Sequence, residues 1–263
     1  MRITADYHTH TTFSHGKGSV EDNVRAAIAR GLTEIGITDH GFGHVLFGLR
    51  RRKLPQLRRE VDTLNEKYGD RIRVLMGVEA NIVGLDGTLD IPDELIGRFD
   101  YLLAGYHRTA RLTDLGALWH FVASNFSRGE KRVKKSTKAF VRAMERYPIA
   151  CITHPGSMIA LNMDMLGEAA ARTGTALEIS VRHVLFTAGQ LGLLKEKGAS
   201  FMINSDAHRP EEVGEFGRQI ERALEAGLNE TDVLNAEGCG RGIRMAGHGP
   251  GNREGGCTNW TSS

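Results

Sequence analysis

Apolar positions along this chain follow two periods that take turns. Short apolar runs at residues 3–7, 34–38, 73–78, 100–106, 149–153, 175–177 and 200–205 have the length and side-chain type of β-strands. Segments of helical period lie between and after them, at about 20–30, 54–68, 115–127, 131–146, 163–172, 187–197 and 210–226. The first helix is the best marked, with Ser19 as its N-cap, Glu21 and Asp22 in its first turn and Gly31 as its stop. Strands and helices that alternate in this way predict a parallel sheet whose strand C-termini share one face, the face where barrel enzymes carry their chemistry.

All seven apolar runs end in a histidine or an acid. In chain order these are His8 and His10, Asp39 and His40, Glu79, His107, His154, Glu178, and Asp206 with His208. Side chains two apart on a strand point the same way, so His8 with His10 and Asp206 with His208 can each grip one ion from a single strand end. Gly77 and Gly105 stand two residues before Glu79 and His107 and are expected to leave room there for ions or water.

Composition narrows the picture without redirecting it. With 263 residues, 40% of them hydrophobic, the chain can bury the core of one α/β barrel, and a single domain over residues 1–242 is expected. Residues 243–263, with Gly247, Gly249, Gly251, Gly255 and Gly256, read as a loose tail. Lys and Arg number 34 against 32 Asp and Glu, a net +2, so any preference for polyanions has to come from local patches. One such patch is Arg50-Arg51-Arg52-Lys53, in the long loop after the second strand, suited to an anionic substrate or a nucleic-acid backbone. Lys131, Lys134, Lys135, Lys138 and Arg142 read instead as the solvated face of an outer helix. The sequence has no apolar run of membrane-spanning length and no signal-peptide pattern at Met1, so a cytoplasmic protein without a membrane partner is expected. Cys151, Cys239 and Cys257 form neither a disulfide framework nor a zinc-finger spacing.

The strand-end motifs also occur in a familiar order. Asp6-Tyr7-His8-Thr9-His10, Ser14-His15-Gly16, Thr38-Asp39-His40, Gly77-Val78-Glu79, Thr153-His154-Pro155 and Ser205-Asp206-Ala207-His208 resemble the motifs of the PHP family, named for polymerase and histidinol phosphatase, over about residues 1–236. The resemblance implies a distorted seven-stranded (βα)7 TIM-like barrel, in agreement with the strand count. It also implies nine metal ligands: His8, His10, His15, His40, Glu79, His107, His154, Asp206 and His208. Three divalent ions are implied, one held by His8, His10, Glu79 and Asp206, a second by Glu79, His107 and His154, and a third by His15, His40 and His208. Imidazole and carboxylate donors suit zinc or manganese, and also iron.

Around these ligands, Asp6, Asp39 and Glu178 are expected to accept the second ring N–H of a neighbouring imidazole, Asp39 beside His40 first among them. Glu178 could instead touch substrate or reach a metal through water. His44, His120, His183 and His248 read as ordinary structural histidines. Clustered dications bind phosphate oxygens, activate water and stabilise a leaving oxygen, so phosphoester hydrolysis is the expected reaction. Asp206, Glu79 and His208 are expected to take part in it, with Asp206 or a metal-bound water as the proton donor. Arg182, then Arg108 and Arg209, are candidates for a phosphate clamp. A small phosphorylated metabolite is the expected substrate. The alternatives are a nuclease acting on nucleic-acid ends and a metal-loaded module that binds a partner without catalysis.

Overall fold

The computed structural model describes residues 1–124, 126, 128–180 and 186–247. Seven strands, β1 (Ala5–Thr9), β2 (Glu34–Ile37), β3 (Arg73–Asn81), β4 (Tyr101–Gly105), β5 (Ile149–Ile152), β6 (Ala176–Ile179) and β7 (Phe201–Ile203), pair in sequence order, each neighbour parallel. Among the described residues seven α-helices accompany them: α1 (Val20–Ala29), α2 (Leu54–Tyr68), α3 (Leu115–Ser124), α4 (Glu130–Arg146), α5 (Met163–Thr173), α6 (Ala188–Glu196) and α7 (Gly217–Glu225). The architecture is the expected (βα)7 barrel. Ser19 caps α1 in a reciprocal box with Asp22, as the sequence signals.

The seam between β7 and β1 is joined largely by side chains. At the mouth, Thr9 and Ala207 form a parallel bridge and the His10 N–H donates to Ala207 O at 2.8 Å. Further down, the Asn235 amide spans the gap, donating to Ala5 O at 2.8 Å and to Ile203 O at 2.6 Å while accepting from the Ile203 N–H at 3.1 Å. An amide side chain carries both donor and acceptor, so it can satisfy strand-edge groups that would otherwise be buried without partners.

Two apolar layers result. The outer one lies between strands and helices and includes Val24, Ile35, Leu57, Val61, Val78, Phe140 and Leu191. The inner one fills the barrel below the mouth with Tyr7, Leu75, Tyr101, Leu103, Cys151 and Met202. Tyr101 crosses this interior, and its hydroxyl donates to Tyr7 O at 2.7 Å. The space at Gly77 is taken by Tyr101: a Cβ there would sit 2.6 Å from the tyrosine ring and 2.7 Å from Thr38. At Gly105 the space goes to the Thr153 hydroxyl and the His154 ring. The expectation that these glycines make room for ions or water is thus corrected: both admit protein side chains.

The helix expected over residues 210–226 is broken. A short 3-10 turn (Pro210–Glu212) precedes α7, and between them Gly214 adopts φ 76° and donates its N–H to Asp6 Oδ2 at 3.0 Å. The expected tail begins by packing, since Ile243 and Met245 lie against the inner layer and the Ala246 N–H donates to Asp100 O at 2.9 Å. Residues 248–263 of that tail, His248 included, lie outside the described residues. Among the described residues no helix is long and apolar enough to cross a membrane.

Candidate metal centre

The strand C-termini bring His8, His10, Glu79 and Asp206 together on the barrel axis, all of them buried. His8 Nε2 lies 3.2 Å from His10 Nε2, 3.4 Å from Glu79 Oε1 and 3.5 Å from Asp206 Oδ1. His10 Nε2 lies 3.2 Å from Asp206 Oδ1 and 3.6 Å from Glu79 Oε2. Two donors held about 2.0–2.2 Å from one tetrahedral ion stand roughly 3.3–3.6 Å apart, so these separations are close to the edges of a coordination shell. They are long for hydrogen bonds.

Glu79 is the hub of the rest. Its Oε1 lies 3.0 Å from His154 Nε2 and 3.6 Å from His107 Nε2, and it accepts from the Thr153 hydroxyl at 2.8 Å. His40 Nδ1 approaches Glu79 Oε2 to 2.8 Å, yet neither atom has an aligned hydrogen-bond partner. His10 Nδ1 and His15 Nδ1 are likewise buried and unpaired. Buried donors and acceptors are almost always paired, so unpaired atoms concentrated on one set of converging side chains fit a cationic guest.

Toward solvent, the rings of His10, His15, His40 and His208 crowd together. His15 lies 4.2 Å from His208 and 4.9 Å from His40 between ring centres, and it stacks on Phe47 at 4.5 Å. The tight donor triads are His8–His10–Glu79, His40–Glu79–His107 and His10–His40–His208. The first two overlap the groupings read from the sequence. In the third, His10 takes the place expected for His15, because His15 rides on the loop after β1 and meets the cluster from its outer side.

The acids behind the cluster divide into two kinds. Glu178 faces a ligand candidate: its Oε1 is 2.7 Å from His8 Nδ1, its Oε2 accepts the His154 N–H at 2.8 Å, and Asn204 donates to it at 3.0 Å. Asp39 and Asp6 depart from expectation. Asp39 accepts from the Thr11 N–H at 2.8 Å and from the Thr11 and Ser14 hydroxyls, so it shapes the loop that carries His15 and leaves the His40 ring alone. Asp6 accepts from the Ser205 N–H and hydroxyl and from Gly214, tying β1 to the chain beyond β7. Each carboxylate turns to nearby N–H and O–H donors of a loop, which no spacing along one strand reveals.

Asn81, Thr153 and Asn204 support the cluster without having been singled out by the sequence. Asn81 Oδ1 is 2.7 Å from His107 Nδ1, and Asp90 holds the Asn81 amide at 2.6 Å. A signal for Asn81 did exist, since it lies two residues past Glu79 on the same strand face. His44, expected to be unremarkable, stacks on His40 at 4.5 Å, with Nδ1 accepting the Phe47 N–H and Nε2 2.8 Å from Thr109 Oγ1. His120 bonds Ser136, away from the mouth, as a structural histidine would.

Burial and charge set the protonation pattern. Burial lowers His10 and His107 well below the usual histidine range and His40 to about 3, leaving the neutral imidazoles that bind metals. Burial alone would raise Glu79, but His107, His8 and the His154 hydrogen bond outweigh it and hold the carboxyl well below its usual range. For His8, burial is outweighed in the other direction by Glu178, Glu79 and Asp206, which raise it. Backbone strain marks the same place: among the described residues, His154 (φ 29°) and Asp206 (φ 52°) are the non-glycines with positive φ. Such conformations persist where the surroundings over-determine them.

Above the cluster opens a cavity of about 770 Å³, lined among others by His15, Lys17, His40, Phe47, Arg108, Met158, Asp206, His208 and Arg209. Two of the three arginines expected at a phosphate clamp, Arg108 and Arg209, are therefore on its wall. Arg182, the first choice, lies outside the described residues, as does His183. A neighbouring cleft is lined by Arg50, Arg51 and Arg111 and shares His44 with the first.

Comparisons with known proteins bear on the family and the fold. The PHP domain model matches residues 6–179. A probable phosphatase of Thermoanaerobacter sp. (strain X514) is 28% identical over 254 residues, covering 90% of this chain and 92% of that protein. The DNA polymerase/3′-5′ exonuclease PolX of Bacillus subtilis (strain 168) is 30% identical over 245 residues, which are 89% of this chain and 39% of that larger protein. The fold is shared with the crystal structure of a histidinol phosphate phosphatase from Lactococcus lactis complexed with zinc, L-histidinol and phosphate, at a TM-score of 0.61 and 18% identity, over 87% of this chain and 95% of that one.

Proposed function

The chain belongs to the PHP domain family, and from that premise we propose that it is a multi-metal phosphoesterase releasing phosphate from small phosphomonoesters. The reading is carried by the convergence of His8, His10, His40, Glu79 and Asp206, whose spacing fits coordination, with His10 Nδ1, His40 Nδ1 and Glu79 Oε2 buried and unpaired among them. We assign His8, His10, His15, His40, Glu79, His107, His154, Asp206 and His208 as ligands of three divalent ions, zinc or manganese by donor type, with iron also suited. Bound there, the ions supply Lewis acidity to phosphoryl oxygens and lower the pKa of water.

The side chains do the remaining work. Glu178 fixes the tautomer and aim of His8 through Nδ1, and Asn81 does the same for His107. Lys17, Arg108 and Arg209, on the cavity wall, neutralise the phosphate as it enters. Asp206 has Oδ1 among the ligands and also faces the cavity, so its carboxylate is placed to take a proton from the attacking water and return it to the departing alkoxide. Glu79 at the hub of the cluster and His208 on the cavity wall hold its inner and outer ends.

A nuclease is the second reading, favoured by the resemblance to the B. subtilis enzyme and by the arginine-lined cleft beside the mouth. Protein stripped of metal, reloaded with manganese or zinc and offered an aryl phosphomonoester and the matching diester side by side separates the two. Turnover of the monoester alone supports the phosphatase; a preference for the diester moves the assignment to nucleic acid.

A further inference from the structure

Helix α3 carries two apolar stripes and buries only one. Ala117, His120, Phe121 and Ser124 face inward, where Phe121 stacks on Tyr106 at 4.9 Å and His120 Nε2 lies 3.0 Å from Ser136 Oγ of α4. Leu115, Leu118, Trp119 and Val122 fall at i, i+3, i+4 and i+7, the spacing of a single helical face, and all are exposed, Leu115 by 83% and Trp119 by 74%. A surface helix ordinarily presents charge on that face, but α3 contains no Lys, Arg, Asp or Glu. Val45 and Leu46 are also exposed, and the Val45 N–H donates to Thr109 O at 3.0 Å, in the segment that leads into α3.

The flank of this stripe is basic. From Arg128 to Lys138, the segment that enters α4, there are six Lys and Arg and one acid, Glu130, a net +5 within a chain of net +2, and Asp114 precedes α3. Both acids are engaged, Asp114 by the Ala117 N–H at 2.9 Å and Glu130 by Lys134 at 2.6 Å. The cations stand close to α3: besides burial, Lys135 and Arg132 push His120 down to about 4.

We propose that this face, the outer stripe of α3 with the first turns of α4, docks on an anionic lipid bilayer. An aromatic and aliphatic stripe set beside lysines and arginines matches an interface with negative headgroups over an apolar interior. Two copies of the chain pairing through α3 would bring two like-charged flanks together. A nucleic acid would stack on Trp119 but leave Leu115, Leu118 and Val122 without apolar partners.

The test is co-sedimentation of the full, metal-loaded chain with phosphatidylcholine vesicles that contain or lack phosphatidylglycerol, at low and raised salt. Binding is expected only with phosphatidylglycerol, falling with salt, and about fivefold weaker for each of Lys131→Gln and Lys135→Gln. Leu115→Ser with Trp119→Ser is expected to weaken it by at least about tenfold, with far-UV circular dichroism and aryl phosphate turnover unchanged, because both side chains are exposed. No sedimentation with phosphatidylglycerol vesicles, or sedimentation untouched by that double variant, overturns the proposal. So does a wild-type dimer that the double variant turns into a monomer, or tight single-stranded oligonucleotide binding that it abolishes.

Discussion

The floor and the mouth of this barrel are built from the same seven strands yet obey opposite rules. On the floor, Tyr7, Leu75, Tyr101, Leu103, Cys151 and Met202 fill the interior, and the Tyr101 hydroxyl has its acceptor at 2.7 Å. At the mouth, His10, His15, His40 and Glu79 leave buried polar atoms unpaired, and His154 and Asp206 hold strained backbone. Floors stabilise; mouths of this kind store polar cost for a bound cation to offset. The difference teaches where substitution should cost stability and where it should cost turnover.

Several substitutions break that contrast if it is wrong. Tyr101→Ala should be the most disruptive on the floor, costing about 3–5 kcal/mol of unfolding free energy in denaturant titration through the cavity it leaves. Metal content per folded molecule should stay near wild type. Chelation should act only through the mouth: metal at about 100-fold its dissociation constant adds roughly 2.7 kcal/mol, so removal should lower the melting temperature and readdition restore it. A melting temperature indifferent to chelator would mean the unpaired donors hold nothing. Glu178→Gln sharpens the comparison, because it keeps the shape but weakens the grip on His8; metal affinity measured by competition should drop about 10–100-fold with little change in apo-protein stability. Tyr101→Phe is the mildest, about 1 kcal/mol for one buried hydrogen bond, with unchanged turnover.

Much of this division is legible in the sequence. Strand ends and ligand candidates could be read because period-2 apolar runs stop at His or acid, and parallel strands bring their C-termini together whatever the helices do between them. Hydrogen-bond partners could not. Asp39 and Asp6 sit beside ligands in sequence but answer to Thr11, Ser14, Ser205 and Gly214, whose positions depend on loop paths. The glycines misled for a related reason: a missing Cβ shows that something comes close, and only the fold shows that Tyr101 and Thr153 are what come. The break before α7 followed from Gly214 being drawn to Asp6, a contact across more than two hundred residues that outweighs local helical period.

If the mouth is a metal centre, its loss ends turnover without unfolding the barrel. The most direct measurement is elemental analysis of wild type and Asp206→Asn after manganese or zinc reloading, with aryl phosphomonoester turnover on the same samples. Wild type should hold close to three equivalents of metal and the variant fewer, with a fall in kcat of more than about 100-fold, beyond what a supporting residue costs, and an intact circular dichroism spectrum. Full metal content and undiminished turnover in Asp206→Asn would contradict the metal-centre assignment.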